Sequence, residues 1–296
     1  MIDRACISLN NNCNLRCRYC HFQDKQHDFT AFNTAQLIKI VDNIHAYCVE
    51  NHLDAFKLGV VGSGEPMIKK VEIVSLLNHI KAMGYSELKL YTITNGTLLS
   101  REDIEIFYSC KDIINLCFSL DGYEEVHNYG RDKFKIVMQR IAWYKEIFGA
   151  SPSINATVNL LSYQNKEKLI AFFKENELYN VTFSMLVGYF KEDLYITDEQ
   201  YLEFMDFVRV SGLNSRQFSG GKKYDCTMYG RLCGVGRTNI FITPEGVYPC
   251  GRFYKDNRYL LGSYNDPISE IEKKVNMMKP VADGKCYYIE NVEVRQ

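Results

Sequence analysis

Two features of the sequence predict an α/β fold: a regular alternation of strand and helix patterns, and the number of those repeats. Over about the first 186 of the 296 residues, short β-branched or aromatic runs alternate with longer amphipathic stretches. This alternation is typical of a parallel sheet covered by helices. Six units rather than eight predict a partial (β/α)6 TIM barrel that is open on one side. The predicted strands are residues 4–9, 56–61, 88–94, 114–120, 154–160 and 180–186.

Amphipathic helices are predicted between these strands. Residues 34–50 carry apolar side chains at helical spacing, and Asn33 and Gln36 are placed as a capping box at the start. Ser100 and Asp103 form the same pattern in front of another apolar run. Further helices are predicted over residues 133–148, 165–177 and 197–210.

The sequence also predicts a division into two domains. A polar, glycine-rich stretch over residues 211–224 follows the last predicted helix and marks the boundary. Residues 1–210 then form the barrel, and residues 211–296 form a small C-terminal domain. In that domain a Pro-Glu-Gly turn predicts a β-hairpin. Its strands are residues 239–243 and 246–250.

Charge and hydropathy argue against two classes of partner. The 35 basic and 36 acidic side chains give a formal net charge of −1, so no long-range attraction to nucleic acid or to an acidic membrane is expected. The N-terminus alternates like a strand and carries no signal-peptide pattern, and no run of eighteen apolar residues occurs. The sequence therefore predicts a soluble protein of the reducing cytoplasm.

Eleven cysteines are many for such a protein, in which disulfides rarely persist. Three fall together near the N-terminus and four lie in the last quarter, and this grouping at opposite ends predicts two metal sites. The grouped cysteines are Cys13, Cys17 and Cys20, and then Cys226, Cys233, Cys250 and Cys286. The other four lie in strand or helix patterns and are predicted to fill the core. They are Cys6, Cys48, Cys110 and Cys117.

The first group follows the first strand directly, where a barrel places its active-site loops. Cys13, Cys17 and Cys20 have the spacing C-x3-C-x2-C, so three thiolates of one short loop can hold three corners of a four-iron cube. The fourth iron stays open for a substrate or cofactor to chelate. Because an electron-transfer cluster usually takes four cysteines, the missing ligand indicates catalysis.

Three other interpretations of this group remain open. Cys17 to His21 matches the haem attachment pattern of c-type cytochromes, but that chemistry takes place outside the cytosol. The three thiols and His21 could hold zinc, although adjacent Cys20 and His21 would bind one ion awkwardly. Buried structural cysteines are the third interpretation.

A second motif, Gly62-Ser63-Gly64-Glu65-Pro66, follows the second strand. Its glycines allow the backbone to approach a ligand closely. The carboxylate of Glu65 can pair with an ammonium group. The alternative is a tight turn with an exposed glutamate.

Two further motifs end the third and fourth strands. Asn95 and Gly96 end the third strand and are typical of a turn. Ser119 and Asp121, which end the fourth, point to the same side of a strand and could bind ribose hydroxyls. Arg131 follows and could bind a carboxylate.

Together these motifs resemble the radical S-adenosylmethionine (SAM) superfamily, whose signature is C-x3-C-x-aromatic-C, with Tyr19 as the aromatic residue. The resemblance implies that the open iron of a 4Fe-4S cluster binds SAM. One electron then breaks the sulfonium bond and gives a 5′-deoxyadenosyl radical. Tyr19 is expected to contact the adenine region. Glu65 is expected to hold the amino group in a motif that reads Gly-Gly-Glu-Pro in the family, from which Ser63 departs.

The motifs around Asn95, Ser119 and Arg131 resemble the subgroup typified by anaerobic sulfatase-maturating enzymes. In that subgroup a serine and an arginine at this separation contact SAM. The resemblance implies that Gly62, Gly64, Asn95, Ser119, Asp121 and Arg131 help to bind the cofactor. It also implies an electron donor of the flavodoxin or ferredoxin type.

The second cysteine group suits either a closed four-iron cluster or a structural zinc ion. It resembles the SPASM/twitch extension, which binds auxiliary 4Fe-4S clusters. Full SPASM domains add a later cysteine run, whereas this chain stops ten residues after Cys286, so one auxiliary cluster in a shortened, twitch-like domain is expected. Sulfatase maturases carry an aspartate, which acts as a base, directly after the cysteine that matches Cys250. This chain has Gly251 at that position, which argues against the same reaction. Cys226 is expected either to be a ligand or to be free. If it is free, it leaves one iron open for a substrate thiolate or donates a hydrogen atom to a substrate radical.

Three functions follow from these expectations. The first is a radical SAM enzyme acting on a peptide by crosslinking, epimerisation or oxidation. Because the first strand starts within nine residues, a leader peptide would then need a separate binding protein or another surface. The second is a small-molecule dehydrogenase, similar to the twitch-bearing 2-deoxy-scyllo-inosamine dehydrogenase. The third is a non-catalytic metal-binding scaffold.

Overall fold

The structure, a computed structural model, describes residues 1–22, 30–186, 193–213, 218 and 232–291. One eight-stranded sheet runs through it. All eight strands were predicted within two residues of their observed ends. The strands are β1 (Arg4–Ser8), β2 (Phe56–Val61), β3 (Leu88–Thr94), β4 (Ile114–Ser119), β5 (Ser153–Val158), β6 (Val181–Met185), β7 (Asn239–Thr243) and β8 (Gly246–Tyr248).

Helices connect the strands and cover the outer face of the sheet. The described helices are α1 (Thr34–Glu50), α2 (Lys70–Met83), α3 (Arg101–Ser109), α4 (Glu124–Gly130), α5 (Phe134–Phe148), α6 (Leu160–Gln164), α7 (Lys166–Glu175), α8 (Asp198–Ser211), α9 (Ile268–Met277) and α10 (Tyr287–Asn291). Short 3-10 turns occur at Pro66–Lys69, Gly251–Phe253 and Asn257–Tyr259.

The sheet is an open, mostly parallel arrangement in the order β6-β5-β4-β3-β2-β1-β7-β8. Strands β1 to β6 pair in parallel with their neighbours, and only the β7–β8 pair is antiparallel. Within the described ranges β6 and β8 are the two edges, so the barrel is not closed. The predicted partial α/β barrel is therefore confirmed.

The C-terminal hairpin continues the sheet of the barrel. Strand β7 pairs in parallel with β1, with Arg4 opposite Asn239 and Cys6 opposite Phe241. The sequence predicted a separate hairpin module, since nothing in a local pattern tells which edge a strand will join. The division of the chain near residue 211 stays a prediction.

Local side chains set several element ends. Both predicted capping boxes are present, with Asn33 starting α1 and Ser100 starting α3. Asn159 forms a third capping box and starts α6. Its extended cap ends β5 at Val158, two residues earlier than predicted. The prediction missed α2, whose residues follow the 3-10 turn directly.

The main core lies between the helices and the outer face of the sheet, where Ala5, Ile7 and Leu9 of the first strand region are buried. Three of the four cysteines predicted to fill the core are buried: Cys48, Cys110 and Cys117. The same prediction was wrong for Cys6, because its side chain points to the opposite face of β1 and is only half-buried. No helix in the described part of the chain is long and apolar enough to cross a membrane.

Candidate active site

The loop that carries Cys13, Cys17 and Cys20 is held to the loop after β2 by backbone hydrogen bonds. Gly64 N donates to Asn10 O at 3.1 Å, and Glu65 N donates to Asn12 O at 2.8 Å. A Cβ atom at Gly64 would lie 1.9 Å from Asn12 O. The glycine therefore permits close approach to the cysteine loop rather than to a ligand, which the sequence had suggested.

The three N-terminal thiols are grouped in a small apolar cluster. Cys17 is buried with Leu15 and Tyr19, and Cys13 and Cys20 pack against this cluster. The charges of the three thiols act on one another, and burial raises the pKa of Cys17 to about 11 and raises that of Cys13. None of the three forms a disulfide bond with another described cysteine. In the described ranges, no three His, Cys, Asp or Glu side chains converge on a single ion.

Glu65 is buried, and its carboxylate connects its own loop to the loop after β3. Thr94 donates to Oε1 through its hydroxyl, Met67 N donates to the same oxygen at 3.0 Å, and Asn95 N donates to Oε2 at 2.8 Å. Burial raises the pKa of Glu65, while these hydrogen bonds lower it. Oε2 keeps one acceptor position, so the carboxylate can still receive one N–H from a ligand.

Asp121 is buried at the end of β4, and both of its oxygens are fully used. Oδ2 accepts from the Tyr19 hydroxyl, Oδ1 accepts from Thr157 N at 2.9 Å, and Arg131 Nε reaches each oxygen at 3.1 Å. Among the described residues these contacts use both acceptor positions of each oxygen, so the carboxylate fixes Tyr19 and Arg131. The binding of ribose hydroxyls by Asp121 stays a prediction.

Arg131 is held by Asp121 through Nε alone. Although burial opposes its charge, the carboxylate of Asp121 raises the pKa of Arg131 well above its ordinary value. Among the described residues, its two terminal amino groups donate no hydrogen bond, and the guanidinium lies 5.3 Å from the centre of the Tyr19 ring. Two parallel donors of this kind suit a carboxylate.

Tyr19 and Ser119 complete this side of the site. The Tyr19 ring packs so closely on Gly130 that a Cβ there would lie 2.4 Å from Cε1. Arg18 N donates to the carbonyl of Gly130 at 2.8 Å, which ties the cysteine loop to α4. Ser119 is nearly buried, and in the described part of the chain its hydroxyl makes no hydrogen bond.

Asn95 belongs to the loop architecture. Its side-chain oxygen accepts from Thr97 N at 2.9 Å, and its amide donates to Asn14 Oδ1 at 2.9 Å. The predicted turn is confirmed. The side chain connects the loop after β3 to the cysteine loop, and its expected role in binding a cofactor stays a prediction.

The second group of thiols lies on the inner side of the sheet. Cys233, Cys250 and Cys286 line one cavity of about 360 Å³, together with Phe22 and Gly62 near the cysteine loop. The hairpin and the returning tail thus bring these thiols together as predicted. Their charges act on one another, and burial raises the pKa of Cys233 and raises that of Cys250 to about 11. Cys226 lies outside the described residues.

Sequence reasoning missed the side chains of β1 and β3 that line this cavity, Cys6 and Tyr91. A signal for Cys6 was present in the sequence. Ala5, Ile7 and Leu9 alternate as the outer, core-facing side of the first strand, so Cys6 must face the interior of the barrel. Tyr91 had no such signal, because β3 carries apolar residues on both faces.

A partial parallel barrel with three grouped thiols after its first strand defines a metallocluster-binding α/β protein. A family model described as "Radical SAM superfamily" matches residues 7–175, which is more than half of the chain. The chain belongs to this superfamily. A 4Fe-4S cluster bound by Cys13, Cys17 and Cys20, with SAM as cofactor, is what this membership implies, and the soft thiol ligands fit such a cluster.

The chain is similar to several individual proteins. A "Cysteine-type anaerobic sulfatase-maturating enzyme" of Clostridium novyi (strain NT) is 23% identical, over 85% of this chain and 74% of that protein. The solved structure of anSMEcpe with bound AdoMet superposes with a TM-score of 0.74 at 21% identity, covering 90% of this chain and 76% of the other. Streptococcus suis SuiB bound to its precursor peptide SuiA gives a TM-score of 0.69 at 16% identity, covering 92% and 64%.

Proposed function

We propose that this protein reductively cleaves SAM to a 5′-deoxyadenosyl radical and abstracts hydrogen from a peptide substrate. The observation that carries the proposal is the grouping of Cys13, Cys17 and Cys20 in one apolar cluster with Tyr19, over which Arg131 lies. Three thiolates without a fourth ligand leave one iron of a four-iron cluster open. When bound, the cluster supplies the electron that breaks the sulfonium bond of SAM.

The chain's own residues hold SAM in this proposal. The terminal amino groups of Arg131 bind its carboxylate in a bidentate manner, since Nε is already committed to Asp121. The remaining acceptor position of Glu65 receives its amino group. The hydroxyl of Ser119 is available for the ribose. Tyr19, with its hydroxyl bound to Asp121, presents its ring to the adenine region.

The C-terminal thiols are proposed to hold an auxiliary 4Fe-4S cluster. Cys233, Cys250 and Cys286 are close enough for their charges to interact, and Cys226 is proposed as the fourth ligand. Thiolates are the metal-binding form, so the raised pKa of Cys250 means that binding must release protons. Because these cysteines line the cavity, a cluster that they hold would supply an electron acceptor for a substrate radical.

A peptide substrate is supported by the structural relatives. One structure of anSMEcpe contains AdoMet and the Cp18Cys peptide, and SuiB is bound to a precursor peptide. Gly251 stands where the maturases carry an aspartate, so a different peptide reaction is proposed. An electron donor of the flavodoxin or ferredoxin type and, for a leader peptide, a separate binding protein are the proposed partners. The cytoplasm, which keeps thiols reduced, is the proposed location.

A small-molecule dehydrogenase is the second candidate. The cavity volume of about 360 Å³ is at the lower end of the range for ligand pockets. Such a volume holds one small polyol as well as one side chain of a peptide, so it is compatible with both candidates. Peptide pools and metabolite extracts, added separately to the SAM-cleavage assay, discriminate the two. Stimulation by the metabolite extract alone would favour the second candidate.

The central test is anaerobic reconstitution followed by counts of iron and sulfide. We expect about eight irons per chain in the wild type and about four in a Cys13/Cys17/Cys20→Ala variant. With SAM and dithionite, 5′-deoxyadenosine should form in the wild type and not in the variant. A Cys48/Cys110/Cys117→Ala variant is the matched control, because it removes three buried thiols outside both groups.

Three other results of the iron count and the SAM-cleavage assay would change the proposal. About four irons in the wild type would remove the auxiliary cluster. Zinc in place of the four irons of the auxiliary cluster would show that the C-terminal thiols bind a structural zinc ion. Reconstituted protein that binds no iron and forms no 5′-deoxyadenosine would contradict the proposed function and leave the scaffold interpretation.

A further inference from the structure

Three residues on neighbouring strands form a row across the inner face of the sheet. Cys6 on β1 is opposite Gly59 on β2, and Gly59 is opposite Tyr91 on β3. The Tyr91 side chain crosses over Gly59, so that its hydroxyl lies 3.3 Å from Cys6 Sγ. The thiol and the phenol are thus in hydrogen-bond contact although they lie two strands apart.

Gly59 makes this contact possible. A Cβ atom at this position would lie 2.6 Å from the Tyr91 hydroxyl oxygen and 3.1 Å from Cys6 Sγ. Glycine inside a strand is unfavourable, because it loses more backbone entropy and packs no side chain. Gly59 therefore lowers the stability of β2, and it permits the contact between the Cys6 thiol and the Tyr91 phenol.

The pair faces the space in which substrate chemistry is proposed. Cys6 and Tyr91 line the same cavity as Cys250 and Gly62. Gly62 lies in the loop after β2, near the cysteine loop. Cys6 is half-buried, whereas Cys48, Cys110 and Cys117 are enclosed in the core. Among the described cysteines outside the two groups, Cys6 is thus the thiol that borders the cavity.

We propose that Cys6 donates a hydrogen atom to a carbon radical formed in this cavity, and that Tyr91 restores the thiol. This proposal rests on the proposed function. In the first step the S–H bond of Cys6 breaks, a C–H bond forms on the carbon, and a thiyl radical remains. In the second step the O–H hydrogen of Tyr91 transfers to sulfur, which re-forms Cys6 and leaves a tyrosyl radical. One electron from a reduced iron–sulfur protein or flavodoxin and one proton from water then restore the phenol.

The proposal narrows the class of reaction. Hydrogen abstraction followed by return of a hydrogen atom leaves the substrate at its original oxidation level. The outcome at a stereogenic carbon is then epimerisation. Crosslinking and dehydrogenation, in contrast, need the radical to survive until a bond forms or an electron leaves. A thiol donor within the cavity therefore favours a substrate that is epimerised.

A purely structural role makes different predictions. Aromatic rings pack over strand glycines in many sheets and compensate for the missing side chain. In that case the ring of Tyr91 matters and the thiol of Cys6 does not. The two roles separate when the thiol is replaced by a group of similar size that cannot donate a hydrogen atom to carbon.

The test uses the whole reconstituted protein in heavy water, with SAM and dithionite and without added substrate, so that the probe is the 5′-deoxyadenosyl radical itself. Exchangeable thiols carry deuterium there, and mass spectrometry reads the deuterium in 5′-deoxyadenosine. We expect deuterated product in the wild type and a several-fold lower deuterated fraction in Cys6→Ala and Cys6→Ser. Cys117→Ala, which removes a buried strand cysteine, should resemble the wild type.

Three results would overturn the proposal. One is an equal deuterated fraction in the wild type and both Cys6 variants. Another is deuteration that is lost in Cys226→Ala instead. The last is 5′-deoxyadenosine without deuterium in every protein. Absence of 5′-deoxyadenosine from the wild type would instead contradict the proposed function, so the two failures are distinct.

Two further readouts do not depend on the amount of SAM cleaved. Iodoacetamide followed by peptide mapping should label Cys6 in the folded protein and spare Cys117, and protection of Cys6 would exclude it as a cavity thiol.

In Tyr91→Phe the deuterated fraction should match the wild type in the first turnover and fall in later ones, since the thiyl radical is not repaired. A merely structural tyrosine would not give this dependence on turnover.

Discussion

At the residue scale, Asp121 organises the proposed SAM site by holding three groups of the chain. Its two oxygens accept from Tyr19, Arg131 and the backbone of Thr157. These groups belong to three different segments: the cysteine loop, the segment after α4, and strand β5. One buried carboxylate thus connects three separate segments, and it holds the guanidinium that is proposed to bind the SAM carboxylate.

Asp121→Asn should weaken SAM binding and lower stability. The substitution leaves the buried Arg131 guanidinium without its counter-charge. Breaking a buried pair in this way costs about 3–5 kcal/mol in the free energy of unfolding. Denaturant unfolding and equilibrium SAM binding measure the two effects. Glu125→Gln is the control, because Glu125 forms an exposed ion pair and should leave both unchanged. Wild-type affinity in Asp121→Asn would contradict this role.

His127 should make stability depend on pH. Its Nδ1 accepts from Asp121 N at 3.3 Å and its Nε2 donates to Asp132 O at 3.0 Å, so the neutral ring fits both partners. Burial lowers the pKa of His127 in the folded protein. Below a pH of about 6.5, the unfolded chain therefore takes up a proton that the folded chain does not.

This difference in proton uptake sets the direction in which stability changes with pH. Stability contributed by neutral His127 is present above a pH of about 6.5 and is lost as pH falls, by up to about 1.4 kcal/mol per pH unit. Thermal unfolding between pH 8 and pH 5.5 measures the slope. His127→Gln should flatten it, whereas the exposed His52→Gln should not. An identical slope in His127→Gln would rule out His127 as its source.

At the scale of elements, the site depends on how closely the loops after β1, β2 and β3 approach one another. Gly64 lies against the backbone of Asn12, and the Glu65 carboxylate reaches the loop after β3. These contacts fix the position of the cysteine loop. The geometry of the loop thus comes from strand ends that lie side by side in a parallel sheet.

Gly64→Ala should prevent assembly of the N-terminal cluster. The added methyl group would meet Asn12 O at 1.9 Å, and because this atom is backbone, the cysteine loop must move. We expect iron content to fall from about eight to about four per chain, with loss of SAM cleavage. Gly149→Ala is a suitable control, since its Cβ meets open space and only its positive φ is strained. Full iron content in Gly64→Ala would show that the loop tolerates displacement.

At the scale of the whole molecule, the C-terminal hairpin joins the barrel's own sheet through β7 and β1. This pairing places Cys233, Cys250 and Cys286 on the wall of the cavity that reaches Gly62 near the cysteine loop. The N-terminal amine also pairs with Glu272 of α9 at 2.8 Å. The sheet therefore fixes the N-terminal and C-terminal groups of cysteines relative to one another.

Cys233→Ala with Cys250→Ala should thus remove one cluster and spare the other. Because β7 is held by backbone hydrogen bonds to β1, the fold does not depend on these ligands. We expect iron to fall from about eight to about four per chain, without a change in far-UV circular dichroism. Cys48→Ala with Cys110→Ala controls for the loss of two thiols. Loss of all iron would show that the clusters assemble cooperatively.

The sequence by itself determined the class of fold, nearly all strand positions, two capping boxes and the grouping of cysteines, because these features depend on local spacing and periodicity. Only the tertiary structure decided that Asp121 holds Tyr19 and Arg131 and that Gly64 accommodates Asn12. It alone also placed Cys6 and Tyr91 as a pair in the cavity. These relations join residues distant along the chain, and they depend on strand order and on which face each strand turns inward. No local pattern encodes that order, whereas packing of the whole sheet sets it.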